Sequence, residues 1–497
     1  MTRPGTSLKL DKSLADAHRW KHLARWHGDA YYALQTEDTG DVPVRLFLTH
    51  ELLASAEDTL YRQIVNATRF PGVRMVVITP DVHYGYGVPV GCVLISDYES
   101  GAIAMGPVGY DIGCGMMSAK SNVPADAATP EKRLHFNQAV MDRIEMGAGG
   151  RSRRFRNLPE HEFIDLVRGG AEHYVAKYGA TFDRSRAERH RIPVDDDWQI
   201  PWGNKGKPER GMQQLGSLGG GNHFIELQRE VNSGELFVQV HTGSRGFGHG
   251  LATNYFELAR AEKPHEVRDI DLGYFTPDSK HYRYYLNAVA AGGNYAILNR
   301  LIIFEQVAEA FRETFNSDLE LIYEISHNLV QQEWHPDFGD VWVHRKGATR
   351  AFPAGYPLLR GTLWEDTGHP VLIPGSNKDF SYILRPLPDA VKSGYSVNHG
   401  AGRRLSRSQA AKTLSQRKID DEYAEAGILV NVDGRVPIDE SSRCYKSSEE
   451  VVKAVVDARL AEIQYQLWPV ASLKGVEDGP RWRKRKRRAP RASNEHF

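Results

Sequence analysis

One histidine stands in a run of small residues, Ser396-Val397-Asn398-His399-Gly400-Ala401-Gly402-Arg403. Its glycines strip side-chain bulk from around the imidazole. Neighbouring backbone N–H groups and Arg403 can hold a phosphate there, and a ring nitrogen held against a bound triphosphate can attack phosphorus to form a phosphoramidate. A turn histidine can equally do no more than make hydrogen bonds, so the chemistry depends on what else converges on it. Gly109-Tyr110-Asp111-Ile112-Gly113-Cys114-Gly115-Met116 sets a carboxylate and a thiol among glycines. The run from Gly216 to Glu226 adds the imidazole of His223 and the carboxylate of Glu226, His241-Thr242-Gly243-Ser244-Arg245-Gly246 adds a second imidazole, and Ile325-Ser326-His327-Asn328 a third. One Asp, one Cys and three His suffice for one or two divalent ions, and a thiolate can bridge two. The spacing is not that of a zinc finger, and mixed nitrogen, oxygen and sulfur donors leave manganese, zinc and cobalt open. Gly219-Gly220-Gly221 permits close approach of backbone to phosphate, or a simple hinge. Neither Gly-Lys-Ser nor Gly-Lys-Thr occurs, which excludes a Walker loop.

These groups need a scaffold that brings distant segments together. Val73 to Thr79 and Val90 to Ile95 read as buried strands, with a turn at Pro80-Asp81 after the first. Cys92, inside the second, reads as a small core hydrophobe. Glu131 to Met146 and Glu160 to Tyr178 read as helices, and Leu236 to Val240 as a strand ending at His241. Tyr282 to Phe315 reads as a long helical stretch interrupted near Gly292-Gly293. Residues 183–215 are polar and rich in breakers, the composition of a surface excursion. Ser447-Ser448-Glu449-Glu450 offers cap and first-turn acids for a helix running to about Gln466. Most candidate groups fall at strand ends or in glycine-rich loops, where a rigid scaffold presents site residues.

The 497 residues are 41% hydrophobic and 25% charged, ordinary for a soluble globular chain. No apolar run approaches the roughly 18 residues of a membrane span, and Met1 to Lys12 lacks the apolar core of a signal peptide. Three cysteines, Cys92, Cys114 and Cys444, are too few for a disulfide framework, which points to the cytoplasm. Net charge is zero but unevenly placed: residues 481–497 hold eight basic side chains and one acid, a net +7, leaving −7 on residues 1–480. That tail is either a solvated, disordered end or an RNA contact.

In order along the chain, Pro80-Asp81-Val82-His83-Tyr84-Gly85-Tyr86-Gly87, Gly109 to Met116, Gly219 to Glu226, His241 to Gly246, Ser326-His327-Asn328, His344 to Ala351, Ile373-Pro374-Gly375-Ser376 and His399 to Arg403 resemble the RtcB family of GTP-dependent RNA ligases. The resemblance implies an α/β fold particular to the family: a large single catalytic domain with mixed sheets and a central two-metal cleft. Residues 1–60 would form an extension and the start of that domain, 61–475 its body, and 476–497 a basic tail. It implies two Mn2+ ions on Asp111, Cys114, His223, His241 and His327, with Cys114 bridging, and guanylylation of His399. Guanylate contacts carried over are Asn222, His223, Phe224, Ile225, Glu226, His327, Asn328, Pro374, Gly375, Ser376, Asn377, Ser381, His399, Gly400, Ala401 and Gly402, with Tyr445 and Lys474 at the guanine. The implied reaction joins an RNA 2′,3′-cyclic phosphate or 3′-phosphate end to a 5′-hydroxyl end, with GTP as co-substrate. Archease-type activators serve some family members.

The chain departs from the family at Asn377-Lys378-Asp379, where Met-Gly-Thr is usual, and in continuing past Lys474-Gly475. Arg245, Arg345, Arg350 and Arg403 are candidates for phosphate contacts, with ion pairing as the other use of each, and Asp81 and His83 for support of the site. Two rivals remain: a metal-dependent phosphoesterase acting on RNA ends with water as nucleophile, and a non-catalytic RNA-binding factor working through its tail.

Overall fold

A computed structural model describes residues 14–28, 30–179, 182–187 and 191–475. The basic tail and the first residues of the N-terminal extension lie outside the described residues. Two large sheets carry the fold. The first runs Arg25–His27, Tyr31–Leu34, Val44–Leu46, Val73–His83, Val90–Asp97, Gly339–Lys346, Asn328–His335 in spatial order. The second runs Glu320–Ser326, Gly115–Pro124, Glu235–Thr242, Phe224–Glu230, Ala461–Lys474, Ser381–Pro386, Val371–Ile373, with Leu429–Val430 beside the strand Ala461–Lys474. Val44–Leu46 pairs parallel with Val73–His83, Leu429–Val430 pairs parallel with Ala461–Lys474, and the other ladders of these sheets are antiparallel, so the sheets are mixed, as expected. Among the described residues, no helix is long and apolar enough to cross a membrane.

The main core lies between the second sheet and the helices Pro130–Arg143, Glu160–Tyr178, Arg245–Glu262 and Tyr282–Phe315. Thr129 caps the first of these through its hydroxyl, which accepts from Lys132 N, and Pro130 fills the first turn. Within residues 183–215, read as a surface excursion, Trp198 and Leu215 enter that core.

Three local expectations are corrected. The strand from Val73 does not turn at Pro80-Asp81 but continues to His83, with its ladder slipping between Ile78 and His83. Proline cannot donate to a ladder and so marks the irregularity. The helix Tyr282–Phe315 is unbroken across Gly292-Gly293. Those glycines are there for contact: a Cβ on Gly292 would sit 2.9 Å from Ile112 Cγ2, and one on Gly113 would sit 3.0 Å from Gly293 Cα and 2.8 Å from Ala296 Cβ. The loop bearing Asp111 and Cys114 is thus pressed onto the helix. Finally, the helix from Ser448 ends at Asp457, and Ala461–Lys474 is a strand. Ile463, Tyr465 and Leu467 alternate with Glu462, Gln464 and Gln466, a period of two that helix geometry cannot satisfy.

Candidate active site

Four adjacent strands of the second sheet bring the metal-type donors to one end. Register pairs Ser326 with Gly115, Met116 with His241 and His241 with Phe224. Cys114, His241, His223 and His327 therefore stand at or next to neighbouring strand ends, and Asp111 joins them from the preceding loop. Cys114 Sγ is 3.4 Å from His241 Nε2 and 3.6 Å from His223 Nε2. His241 Nε2 lies 3.3 Å from His327 Nε2, and His223 Nε2 lies 3.1 Å from Asp111 Oδ2. The outer nitrogens fix two tautomers. His223 Nδ1 is 3.0 Å from the Leu218 carbonyl and His241 Nδ1 is 3.1 Å from the Asn222 carbonyl. A carbonyl only accepts, so both Nδ1 atoms donate; the Nε2 lone pair of neutral His241 turns inward, while His223 Nε2 faces the Asp111 carboxylate.

Burial holds His241 and His327 well below the ordinary imidazole range, neutral and ready to ligate. Burial, with Asp111 beside it, pushes the Cys114 thiol well up. Burial also pushes on the Asp111 carboxyl, but His223 outweighs it and holds that group below the usual carboxylate range. Cys114, His241 and His327 form one set of donors within 4.8 Å of one another, and Asp111, Cys114 and His223 form another. Converging lone pairs, a shared sulfur and a carboxylate fit divalent cation binding.

Behind the cradle lies a residue that the sequence reading missed. Arg300, fully buried on the long helix, donates to the carbonyls of Gly113 (2.7 Å) and Thr242 (2.9 Å) and to Ser326 Oγ (2.7 Å). Each of these adjoins a donor: Cys114, His241 and His327. Glu324, also fully buried, balances its charge. The sequence signal was a lone arginine in the apolar run Leu298 to Phe304.

His399 closes the arrangement. Its ring is T-shaped to His327, centroids 4.8 Å apart. Asp81 Oδ2 is 2.6 Å from His399 Nδ1 and accepts from His399 N at 3.1 Å, while Thr79 donates to Oδ1 at 2.6 Å. Burial pushes the Asp81 carboxyl up, but the His399 imidazole and the Thr79 hydroxyl outweigh it and hold it below its ordinary value. With Nδ1 engaged, Nε2 is the nitrogen left for chemistry. The slipped ladder around Pro80 aims Asp81 at this ring. Gly402 adopts φ +78°, and a Cβ there would collide with the Asp81 carbonyl, so this glycine serves backbone packing more than clearance around the imidazole. His83 Nδ1 lies 3.0 Å from the Asp81 carbonyl, and burial pushes this imidazole down to about 4.

A cavity of about 390 Å³ joins these groups. Asp111, Cys114, His241, His327 and His399 line it, together with Asn222, Phe224, Asn328, Pro374, Gly375, Ser376, Gly400, Ala401, Gly402, Tyr445 and Lys474. His223, Ile225, Glu226, Asn377 and Ser381 are off its wall. His223 still reaches Asp111, whereas the Ile225 side chain turns into the main core. Glu226 is buried beneath, bonded by Gln228 Nε2 at 2.7 Å, and burial pushes its carboxyl up to about 7. Ser381 Oγ props the turn by accepting from Gly375 N at 3.0 Å. In the divergent triplet, Asn377 accepts from the Tyr423 hydroxyl, Lys378 faces Glu422 at 3.8 Å, and Asp379 accepts from Ser448 N at 2.8 Å.

A second unforeseen residue organises the far end. Glu440, 2% exposed, meets Arg403 at 3.2 Å, Arg407 at 2.8 Å and Lys474 at 3.5 Å, and accepts from the Tyr445 hydroxyl. Of the four candidate arginines, only Arg403 reaches the cavity wall. Arg345 is buried and forked onto Glu333, and Arg350 is buried beside Gln331 and over the Phe352 ring. Both serve the interior, which corrects their reading as phosphate contacts. Arg245 donates to the carbonyls of Gly147 and Ala148.

Comparison with known proteins agrees with this geometry. Residues 63–475 match the family model described as tRNA-splicing ligase RtcB. The chain is 33% identical to the tRNA-splicing ligase RtcB of Pyrobaculum aerophilum over 468 residues, covering 87% of this chain and 95% of that relative. It is 34% identical to the protein of the same name from Thermococcus kodakarensis, with 87% and 95% covered. It is 35% identical to the RNA-splicing ligase RtcB of Mycobacterium tuberculosis, with 83% of this chain and 100% of that relative covered. This chain belongs to the RtcB family of RNA ligases.

Proposed function

We propose that this chain joins an RNA 2′,3′-cyclic phosphate or 3′-phosphate end to a 5′-hydroxyl end, using GTP and a guanylylated His399. The observation that carries the reading is the Asp81–His399 pair, with its ring 4.8 Å from the His327 ring in one shared cavity. Asp111, Cys114, His223, His241 and His327 would hold two Mn2+ ions. Bound there, the cations neutralise triphosphate charge and make the α-phosphorus electrophilic.

His399 Nε2 attacks that phosphorus; the N–P bond forms and the bond to pyrophosphate breaks. Asp81 holds Nδ1–H and offsets the charge that develops on the ring, as a buried carboxylate does beside a catalytic imidazole. An oxygen of the RNA 3′-phosphate then attacks the guanylate phosphorus, the N–P bond breaks, and an RNA–ppG end forms. The 5′-hydroxyl attacks the RNA phosphorus of that end, gives up its proton and expels GMP. A cyclic phosphate is hydrolysed beforehand: water attacks its phosphorus, the bond to the 2′-oxygen breaks, and a 3′-phosphate and a 2′-hydroxyl result. Asn222, Phe224, Asn328, the turn Pro374 to Ser376 and Gly400 to Gly402 form the guanylate wall. Tyr445 and Lys474 serve the guanine, and Glu226, Asn377 and Ser381 support the guanylate site from behind its wall. Residues 61–475 are the catalytic unit, and the three free, buried cysteines accord with a cytoplasmic setting.

A phosphoesterase would use the donor cradle but leaves the Asp81–His399 pair without a task. Incubation with α-labelled GTP and Mn2+ separates the two. The wild-type chain is expected to acquire an acid-labile guanylate and His399→Ala none; equal labelling of both would remove His399 as the nucleophile. Phosphate release from RNA without any labelled protein would favour the phosphoesterase.

A further inference from the structure

The reaction above needs two RNA ends held over His399, yet the cavity wall contributed by residues 83–90 and 106–110 has no part in holding the nucleotide or the metal ions. Its most exposed member is Tyr86, a residue 68% exposed while lining the cavity. A large aromatic face left in water is a feature to be explained when it borders a binding site. Beside it, Tyr110 packs edge-on at 6.1 Å between ring centroids. Tyr110 is itself fixed, stacked on Phe256 at 4.7 Å with planes 7° apart, its hydroxyl donating to Asp271 at 2.8 Å.

The backbone under Tyr86 is held more firmly than an ordinary exposed loop. Gln63 accepts from Gly85 N at 2.9 Å and donates to the Gly85 carbonyl. Lys346 Nζ donates to the carbonyls of Tyr86 (2.6 Å) and Val88 (3.0 Å), and Asn66 donates to that of Gly87 at 2.9 Å. Gly87 takes φ +69°, and a Cβ there would lie 2.6 Å from the Asp271 carbonyl. Three side chains, two from the helix Leu60–Thr68 and one from the strand Gly339–Lys346, thus pin four consecutive residues, and the tyrosine among them lines the cavity. A rigid aromatic presented at low entropic cost is what sequence-tolerant stacking of a nucleobase requires.

We infer that Tyr86, edge-braced by Tyr110, is the stacking platform for a nucleobase at the RNA junction. It takes the base of either the 3′-phosphate end or the 5′-hydroxyl end, whichever its sequence. The inference rests on the ligase reading, and guanylylation with GTP alone reports separately on that reading.

Ligation of a two-piece RNA tests it, with KM for RNA, kcat and self-guanylylation measured in parallel. Tyr86→Ala should raise KM for RNA about tenfold or more, the scale of one lost stacking contact, while labelling by GTP stays at the wild-type level. Tyr86→Phe and Tyr86→Trp should restore KM. An RNA abasic at its 3′-terminal nucleotide, and another abasic at its 5′-terminal nucleotide, locate the base: wild type and Tyr86→Ala should become equal on one of them. Quenching of 2-aminopurine at that terminus should be present in wild type and absent in Tyr86→Ala. The inference is overturned if Tyr86→Ala leaves KM for RNA unchanged. It is equally overturned if the penalty persists on both abasic substrates, or if Tyr86→Ala weakens labelling by GTP as much as ligation. If the wild-type chain takes no label, the ligase reading itself has failed, whatever Tyr86 does.

Discussion

The two ends of the cavity are built on opposite principles. At one, three imidazoles, a thiol and a carboxylate converge, with backbone carbonyls behind His223 and His241 and the Nε2 atoms of His241 and His327 3.3 Å apart. At the other, Arg403, Arg407, Lys474 and Tyr445 converge on a single buried carboxylate, Glu440, which answers their charge. The first is an arrangement of donors that a cation completes. The second is complete from protein groups alone. Burial pushes the Glu440 carboxyl up, but Lys474, Arg407 and Arg403 outweigh it and hold it low, the mark of a network already satisfied. Metal should therefore govern one end and hardly touch the other.

The most severe way to break that contrast is Cys114→Ala. It removes the one donor common to both sets, so guanylylation should vanish. Mn2+ at a hundred times its Kd should stabilise the wild type by about 2.7 kcal/mol and the variant by close to nothing, a difference read by thermal melts with and without chelator. Undiminished stabilisation of Cys114→Ala would show that the thiol is no ligand. Glu440→Ala attacks the other end. It takes the shared carboxylate from three cations, of which Arg407 keeps Asp439, and should cost about 3–5 kcal/mol in urea unfolding, equally with and without metal. A loss that Mn2+ repairs would dissolve the distinction.

Glu226 offers a test by pH. Its carboxyl is raised from 4.5 to about 7 by burial, so between those values the folded chain holds a proton that the unfolded chain has released. Stability is then greatest at low pH and falls as pH rises through about 7, by up to roughly 3 kcal/mol. Glu226→Gln should remove that decline and be the more stable protein at pH 8, while losing affinity for GTP; an unchanged pH slope would discount the buried charge. The mildest change, Arg300→Lys, keeps the charge beside Glu324 but loses the fork that reaches three donor-bearing loops. Affinity for Mn2+ should fall about tenfold to a hundredfold, as measured by titration, with the Glu440 end unaffected.

Much of the site was legible because its chemistry sits in short, glycine-flanked segments of uncommon residues. Asp111, Cys114, His223, His241, His327 and His399 could each be named from such segments, and the structure brings all six together. Arg300 and Glu440 were not legible in the same way. Each acts through partners far away in sequence, and only the tertiary fold says that Arg300 meets Gly113 and Thr242. The fold was read less well where a local signal was carried too far. Pro80 suggested a turn, and the helix read from Ser447 to about Gln466 stopped just short of Pro469. Both lie within strands, at places where the ladder register slips, which is where a missing N–H is tolerated. Gly292 and Gly293 suggested a break because a sequence cannot show a loop pressed against a helix.

The strand Ala461–Lys474 lies in the interior of its sheet, between Phe224–Glu230 and Ser381–Pro386. The ribosome therefore delivers the keystone of this sheet after every strand it must join. A chain released short of Ala461 would carry the cation donors on one sheet fragment and the Pro374–Ser376 turn beyond another. Both fragments would expose an unpaired edge that invites a second chain. Catalytic competence thus arrives with the last strand of the sheet, and quality control of truncated products reduces to whether that gap is filled.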